Sequence, residues 1–244
     1  MKAIFTPKWI AAHVMVVVIA IVFINLGFWQ LGRLEDRKLE NQIAETRYTA
    51  PPEELGVLVA AVGDDLESLR YRRATVSGSY ETEHELLTRN QVYRDQAGFH
   101  VVTPLVTGGG GAVLVNRGWV PLPLDTPPIT EAPPPFGEVT ITGWVNPTQT
   151  RPALGPTDPE GVIDVMSRIN IERIQQQAPY DLAPVYLVLE GDGGAELPVT
   201  LPPPEFTNEG SHLAYAIQWF GFTLTGAIGY WFLIRKTLVP KAKK

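Results

Sequence analysis

The chain has 244 residues, with 20 Lys and Arg, 26 Asp and Glu and no cysteine. The missing cysteine excludes disulfides, thiolate metal sites, thiol nucleophiles and Cys-ligated clusters. With only Met1, Met15 and Met166 besides, the soft sulfur donors expected of a copper carrier are absent as well. The net charge of -6 hides a division. All 26 carboxylates and 13 of the cations lie between Arg33 and His212, a balance of −13, whereas the other seven cations flank the two ends. A middle that acidic repels phosphate backbones, which excludes nucleic acid as a partner.

From the N-terminus, an apolar run from Ile10 to Phe28 has the length a helix needs to cross about 30 Å of hydrocarbon. It is longer than a signal-peptide h-region and no small-x-small cleavage site follows, so it is expected to stay as an anchor. Trp9 and Trp29 suit the two interfaces. The spacing of Leu31, Leu34, Leu39 and Ile43 carries the helix onward as an amphipathic stretch to Pro51–Pro52.

Beyond the prolines, Glu53 to Val62 reads as a short helix, and strands are predicted over 70–80, 85–89, 98–106, 112–120, 138–146 and 185–190. Gly108 to Gly111 reads as a hairpin turn. Asn170 is placed to cap a short helix through Gln177 with Ile171 and Ile174 on its apolar face. Pro121–Pro135 and Pro202–Pro204 are loops. A second apolar run, Leu213 to Ile234, ends in Arg235, Lys236, Lys241, Lys243 and Lys244, while Asn208 to Ser211 before it carries no cation.

The fold class expected is a membrane protein whose two transmembrane helices flank a β-rich α+β extracytoplasmic domain, either one curved antiparallel sheet or an open barrel. Its divisions are a cytoplasmic N-terminus 1–9, helix 10–28, exported domain 29–212, helix 213–234 and a cytoplasmic basic tail 235–244. The basic tail sets the orientation: both termini face the cytoplasm, and the location is a bacterial inner membrane, with the lipid bilayer itself a partner.

No ordinary catalytic signature occurs, so a non-enzymatic role is expected. His84 among Glu81, Glu83 and Glu85 reads as a surface position, and His100 as a half-buried strand residue. His13 sits about one turn below the cytoplasmic interface. His212 stands at the mouth of the second span, and Tyr215, Trp219 and Phe222 follow at i+3, i+7 and i+10 on one helix face. Two readings suit that face: an aromatic interfacial belt, or one axial haem ligand beside a flat ring. Gln218 reads as an interhelical or cofactor contact. His13 and His212 stand about 20 Å apart along the spans, so they cannot share an iron.

Several blocks resemble a known family. Gly27-Phe28-Trp29-Gln30-Leu31-Gly32-Arg33-Leu34 resembles its motif at the exit of the first span. Gly98, Val101–Leu105 and Val113–Pro121 are similar to its two central blocks. Asn208, His212-Leu213, Tyr215-Ala216 and Gln218-Trp219-Phe220 resemble its entry to the second span. The family is the Surfeit-locus protein 1 (Shy1) family, whose members assist assembly of haem-copper cytochrome c oxidase. The resemblance implies binding of haem a, with His212 as the iron ligand, and cytochrome c oxidase subunit I and the haem a synthesis machinery as partners. Trp29, Arg33, Tyr215 and Trp219 are then expected at the haem rim. Arg117 reads first as a buried or bridged strand-end residue; Arg33 is better placed for haem propionates. Two other classes remain open: a cofactor-free scaffold clasping an oxidase intermediate, and a membrane-anchored ligand-binding ectodomain.

Overall fold

In the computed structural model, which describes residues 4–150, 161–191 and 193–238, the chain divides into two compact bodies. One comprises Met1–Ile43 with Phe206–Lys244, the other Ala44–Glu205.

The first body is an antiparallel pair of helices, α1 (Pro7–Thr49) and α4 (His212–Leu238). Both are long and apolar enough to cross a membrane. The turned-in residues of α1 are Trp9, His13, Val16, Ala20, Phe23, Gly27, Gln30 and Leu34. Their alternating steps of four and three are the heptad spacing that keeps one seam of a helix against its partner. Gly27 is buried because the Phe220 ring occupies its Cβ position; an added Cβ would lie 2.6 Å from two ring carbons. Small residues permit such approach between helices in lipid, where packing rather than water exclusion drives association. Phe23 meets Trp219 at 5.3 Å and Phe222 at 6.0 Å between ring centroids, and Phe28 meets Phe220 at 5.5 Å. Val14, Val17, Val18 and Ile21 of the first span are exposed.

The second body opens with the expected short helix α2 (Leu55–Val62), whose first turn is capped by the Glu54 carboxylate accepting from Gly56 N and Val57 N. The two-residue strand β1 (Glu53–Glu54) precedes it. Strands β2 (Arg73–Tyr80), β3 (Leu86–Tyr93), β4 (Gln96–Val106), β5 (Ala112–Pro121), β6 (Glu138–Pro147), β7 (Val165–Met166) and β8 (Leu182–Leu189) follow. They form one eight-stranded sheet in the order β1-β2-β6-β8-β5-β4-β3-β7, and a further pairing of β2 with β4 closes it.

The sheet is therefore a closed ring, not an open one, and it is mixed. Parallel pairs join β5 to β8, β1 to β2 and β3 to β7. These pairs correct the expected antiparallel sheet; they carry no local signal, because the pairing partners lie far apart in the chain. The glycine turn does join β4 to β5 as a hairpin. Strand β3 runs four residues past its expected end, because Arg94 (φ 47) and Asp95 (φ 63) form a two-residue turn into β4 without a glycine to mark it.

Alternate residues of β5 and β8 enter different cores, which explains why β5 is buried along nearly its whole length. Val113, Val115, Val185 and Leu187 fill the inside of the ring with Leu55, Leu58 and Leu105. Leu114, Tyr186 and Val188 face the other side, under Ile171 and Ile174 of α3 (Ile171–Gln175). Asn170 caps α3 as expected, its Oδ1 accepting from Arg173 N at 2.9 Å.

Candidate functional site

His212 is the first residue of α4 and half-buried. Its Nδ1 lies 2.8 Å from Oε1 of Gln30 on α1. A carboxamide oxygen accepts only, so Nδ1 carries the proton and donates it. Among the described residues no partner meets Nε2. Gly210, at φ 70, borders that nitrogen: a Cβ added there would stand 3.5 Å from it. The loop is tied to α1 by two more contacts. Asn41 Nδ2 donates to Asn208 O at 3.1 Å, and Lys38 reaches Glu209 at 3.6 Å. Asn208 Oδ1 in turn accepts from Gly210 N at 2.9 Å. The mouth of the helix pair is thus fixed by Gln30, Lys38 and Asn41 on one side and residues 208–212 on the other.

The other expected rim residues lie on the surfaces of the same helices. Trp29 is 57% and Tyr215 48% exposed. Arg33 is exposed, 3.7 Å from Asp36, in an ion pair worth little against solvent. Trp219 is half-buried and packs on Phe23 and Phe222. Trp29 with Arg33, and Tyr215 with Trp219, are i,i+4 couples that each share a face of their helix. The residues of α4 that lose exposure beside α1 are His212, Ala216, Trp219, Phe220 and Thr223; on the face expected from sequence Tyr215 is exposed, whereas Phe222 reaches Phe23 of α1. Gln218 is exposed. Of the basic ends read from sequence, Lys2, Lys241, Lys243 and Lys244 lie outside the described residues.

His13 differs from His212 in one decisive respect: both of its nitrogens are engaged. Nδ1 faces the Tyr230 hydroxyl and Nε2 lies 3.1 Å from Ile4 O. It is a satisfied contact between the two helices, with no lone pair left for a metal. Among the described residues no group of three or more His, Cys, Asp or Glu side chains gathers to hold an ion.

The remaining histidines occupy the β body. His100 is largely buried, its Nδ1 accepting from Asn116 Nδ2 at 3.2 Å, and burial pushes its pKa down to about 4. It is a neutral strand residue, as its sequence context implies. His84 lies in a turn, hydrogen-bonded to Glu81. Burial pushes the Glu81 carboxyl up, but hydrogen bonds from His84, Glu83 N and Tyr180 hold it below the usual range.

Arg117 is bridged, as expected for a strand end, through a network not legible in the sequence. A bulge in β5 leaves Arg117 unpaired between Asn116 and Gly118 and re-aims its side chain. Its guanidinium donates to Glu85 Oε2 at 3.2 Å and to Ala132 O at 2.6 Å. Glu85 also accepts from the Thr103 hydroxyl at 2.7 Å and Ile129 N at 2.8 Å. Arg117 and Tyr80 line a cavity of about 630 Å³ at one end of the ring. Burial raises the Tyr80 hydroxyl to about 12, partly offset by Arg117.

Comparison with known proteins agrees with this layout. The SURF1 family model matches residues 17–224. The chain is 31% identical over 229 residues to a SURF1-like protein of Mycobacterium bovis, covering 91% of this chain and 82% of that one. It is 32% identical over 242 residues to human Surfeit locus protein 1, covering 88% and 74%, and 26% identical over 225 residues to a SURF1-like protein of Rickettsia felis, covering 89% and 94%. The match takes in most of α1, the whole β body and the mouth of α4, and the chain belongs to the SURF1 family.

Proposed function

We propose that this protein is an assembly factor for haem-copper cytochrome c oxidase that holds haem a through His212 and passes it to subunit I. Family membership supports the assembly role. The observation that carries the haem reading is the state of one imidazole. His212 presents a free Nε2 while Nδ1–H is held by Gln30, the arrangement in which metal-ligating histidines are ordinarily found. Neutral imidazole is a good axial ligand for haem iron, and the group supplies no chemistry to a substrate here; it is cargo.

The chain's own residues do the rest. Nε2 of His212 donates its lone pair, Trp29 and Tyr215 offer exposed ring faces, and the exposed Arg33 guanidinium, only weakly paired with Asp36, grips a propionate. A single axial histidine gives moderate affinity, which suits a carrier that must release its load. In this reading α1 and α4 span the bacterial inner membrane, both termini are cytoplasmic, and the β body lies outside. The haem a synthesis machinery loads the site from the lipid.

The test is coexpression with haem a synthesis enzymes, then the visible spectrum of the purified protein. Wild type copurifies with haem a, and His212→Ala loses it while remaining in the membrane. Equal haem in both proteins refutes the ligand assignment. A colourless wild type leaves the cofactor-free scaffold as the reading. Protease added to intact spheroplasts is expected to cleave the β body; resistance refutes the topology.

A further inference from the structure

Gln30 stands at the mouth of the helix pair, half-buried in the α1 seam. The seam positions on either side of it, Gly27 and Leu34, are buried and apolar. A carboxamide half-buried in a helix seam needs a partner to offset its desolvation, and the partner found is His212 Nδ1. A neutral imidazole has one proton for two nitrogens. Without an acceptor at Nδ1 the proton is shared between both, and whenever it sits on Nε2 that atom has no lone pair to give.

We propose that Gln30 is the positioning residue of the site: it fixes His212 in the Nδ1-protonated tautomer, orients the ring, and commits Nε2 to the ligand. Gly210 completes the device by leaving the approach to Nε2 free of side-chain atoms. This rests on His212 as the haem ligand described above. The contact also bridges the two helices, so the Nδ1-protonated tautomer is favoured when α1 and α4 are paired at this level. By accepting from Nδ1–H, Gln30 makes Nε2 a stronger electron-pair donor to a bound metal and so favours the ferric over the ferrous iron.

The experiment uses the full chain in lipid nanodiscs with ¹⁵N-labelled histidine, comparing wild type, His212→Ala, Gln30→Leu, Gln30→Glu and Gly210→Asn. In the haem-free protein, nitrogen chemical shifts report the tautomer. The expected result is a resonance pair with protonated Nδ1 and bare Nε2 that vanishes in His212→Ala, collapses to a tautomer mixture in Gln30→Leu, and persists in Gln30→Glu, which keeps an acceptor. A wild-type His212 protonated at Nε2 overturns the proposal before any haem is added.

With haem, Gln30→Leu is expected to bind about 10- to 100-fold more weakly and to show a raised midpoint potential, while Gln30→Glu restores binding and lowers the potential. Gly210→Asn, a residue that tolerates this backbone conformation, is expected to weaken binding with the tautomer unchanged. Equal affinity and potential in Gln30→Leu and wild type overturn the positioning role. Retention of haem by His212→Ala instead defeats the ligand assignment, and with it the role of Gln30 in haem binding, while the tautomer result stands on its own.

Discussion

Truncating the buried carboxylate of Glu85 is expected to be among the most damaging single changes in the β body. The Glu85 and Arg117 side chains are 1% and 4% exposed, and their charged atoms lie 3.2 Å apart. At an effective dielectric of about 20, that separation corresponds to an attraction of about 5 kcal/mol. Desolvation of both ions offsets most of it, so the pair as a whole adds little net stability. Removing one partner is a different matter. In Glu85→Leu the guanidinium remains buried, keeping only Ala132 O and Thr103 Oγ1. Thr103 Oγ1 and Ile129 N lose their acceptor as well. The expected loss is about 3–5 kcal/mol. Because the penalty comes from the orphaned charge, Glu85→Leu/Arg117→Met is expected to recover at least half of it. The assay is denaturant unfolding of the full protein in nanodiscs, followed by tryptophan fluorescence, as a double-mutant cycle. A Glu85→Leu loss below about 1 kcal/mol, or a double variant no better than the additive sum, refutes the reasoning.

Two further outcomes follow from the packing and the titration. Gly27→Ala drives a methyl into the Phe220 ring; a cost of about 1–3 kcal/mol is expected, with Phe220→Leu in the same chain restoring the melting temperature read by near-ultraviolet circular dichroism. No change on Gly27→Ala would show that the two helices do not pack as described. The His100 imidazole, at about 4 in the folded chain against about 6.5 unfolded, makes the unfolded state take up its proton first as pH falls. Its contribution is therefore complete above about pH 6.5 and lost progressively towards pH 4, by about 3 kcal/mol. His100→Gln, which does not titrate, is expected to show a shallower fall in unfolding midpoint over that interval; an identical slope refutes the assignment.

Much of this protein was legible residue by residue. The two apolar helices, the glycine turn between β4 and β5, the Leu55–Val62 helix and the Asn170 cap are local matters. Hydrophobic run length, turn chemistry and the hydrogen-bonding reach of one side chain determine them, and each depends on neighbours within a few positions. The position of His212 at the first residue of the second apolar helix was legible too. The Surfeit-locus resemblance added the order of the blocks.

What tertiary structure alone decided is every relation between distant segments. Closure of the sheet through Ser79 and Tyr80 against Leu105 and Val106, and the parallel pairing of β5 with β8, leave no local trace, because either strand would have the same composition beside another neighbour. The Glu85–Arg117 pair spans 32 positions and depends on a bulge that no single residue announces. The Gln30–His212 bond spans 182. Both residues were visible at the membrane-interface level, but which imidazole nitrogen is held and which is free follows only from how the antiparallel helices register. A histidine is written in the chain, whereas its lone pair is exposed or spent according to a contact made from the opposite end of the sequence.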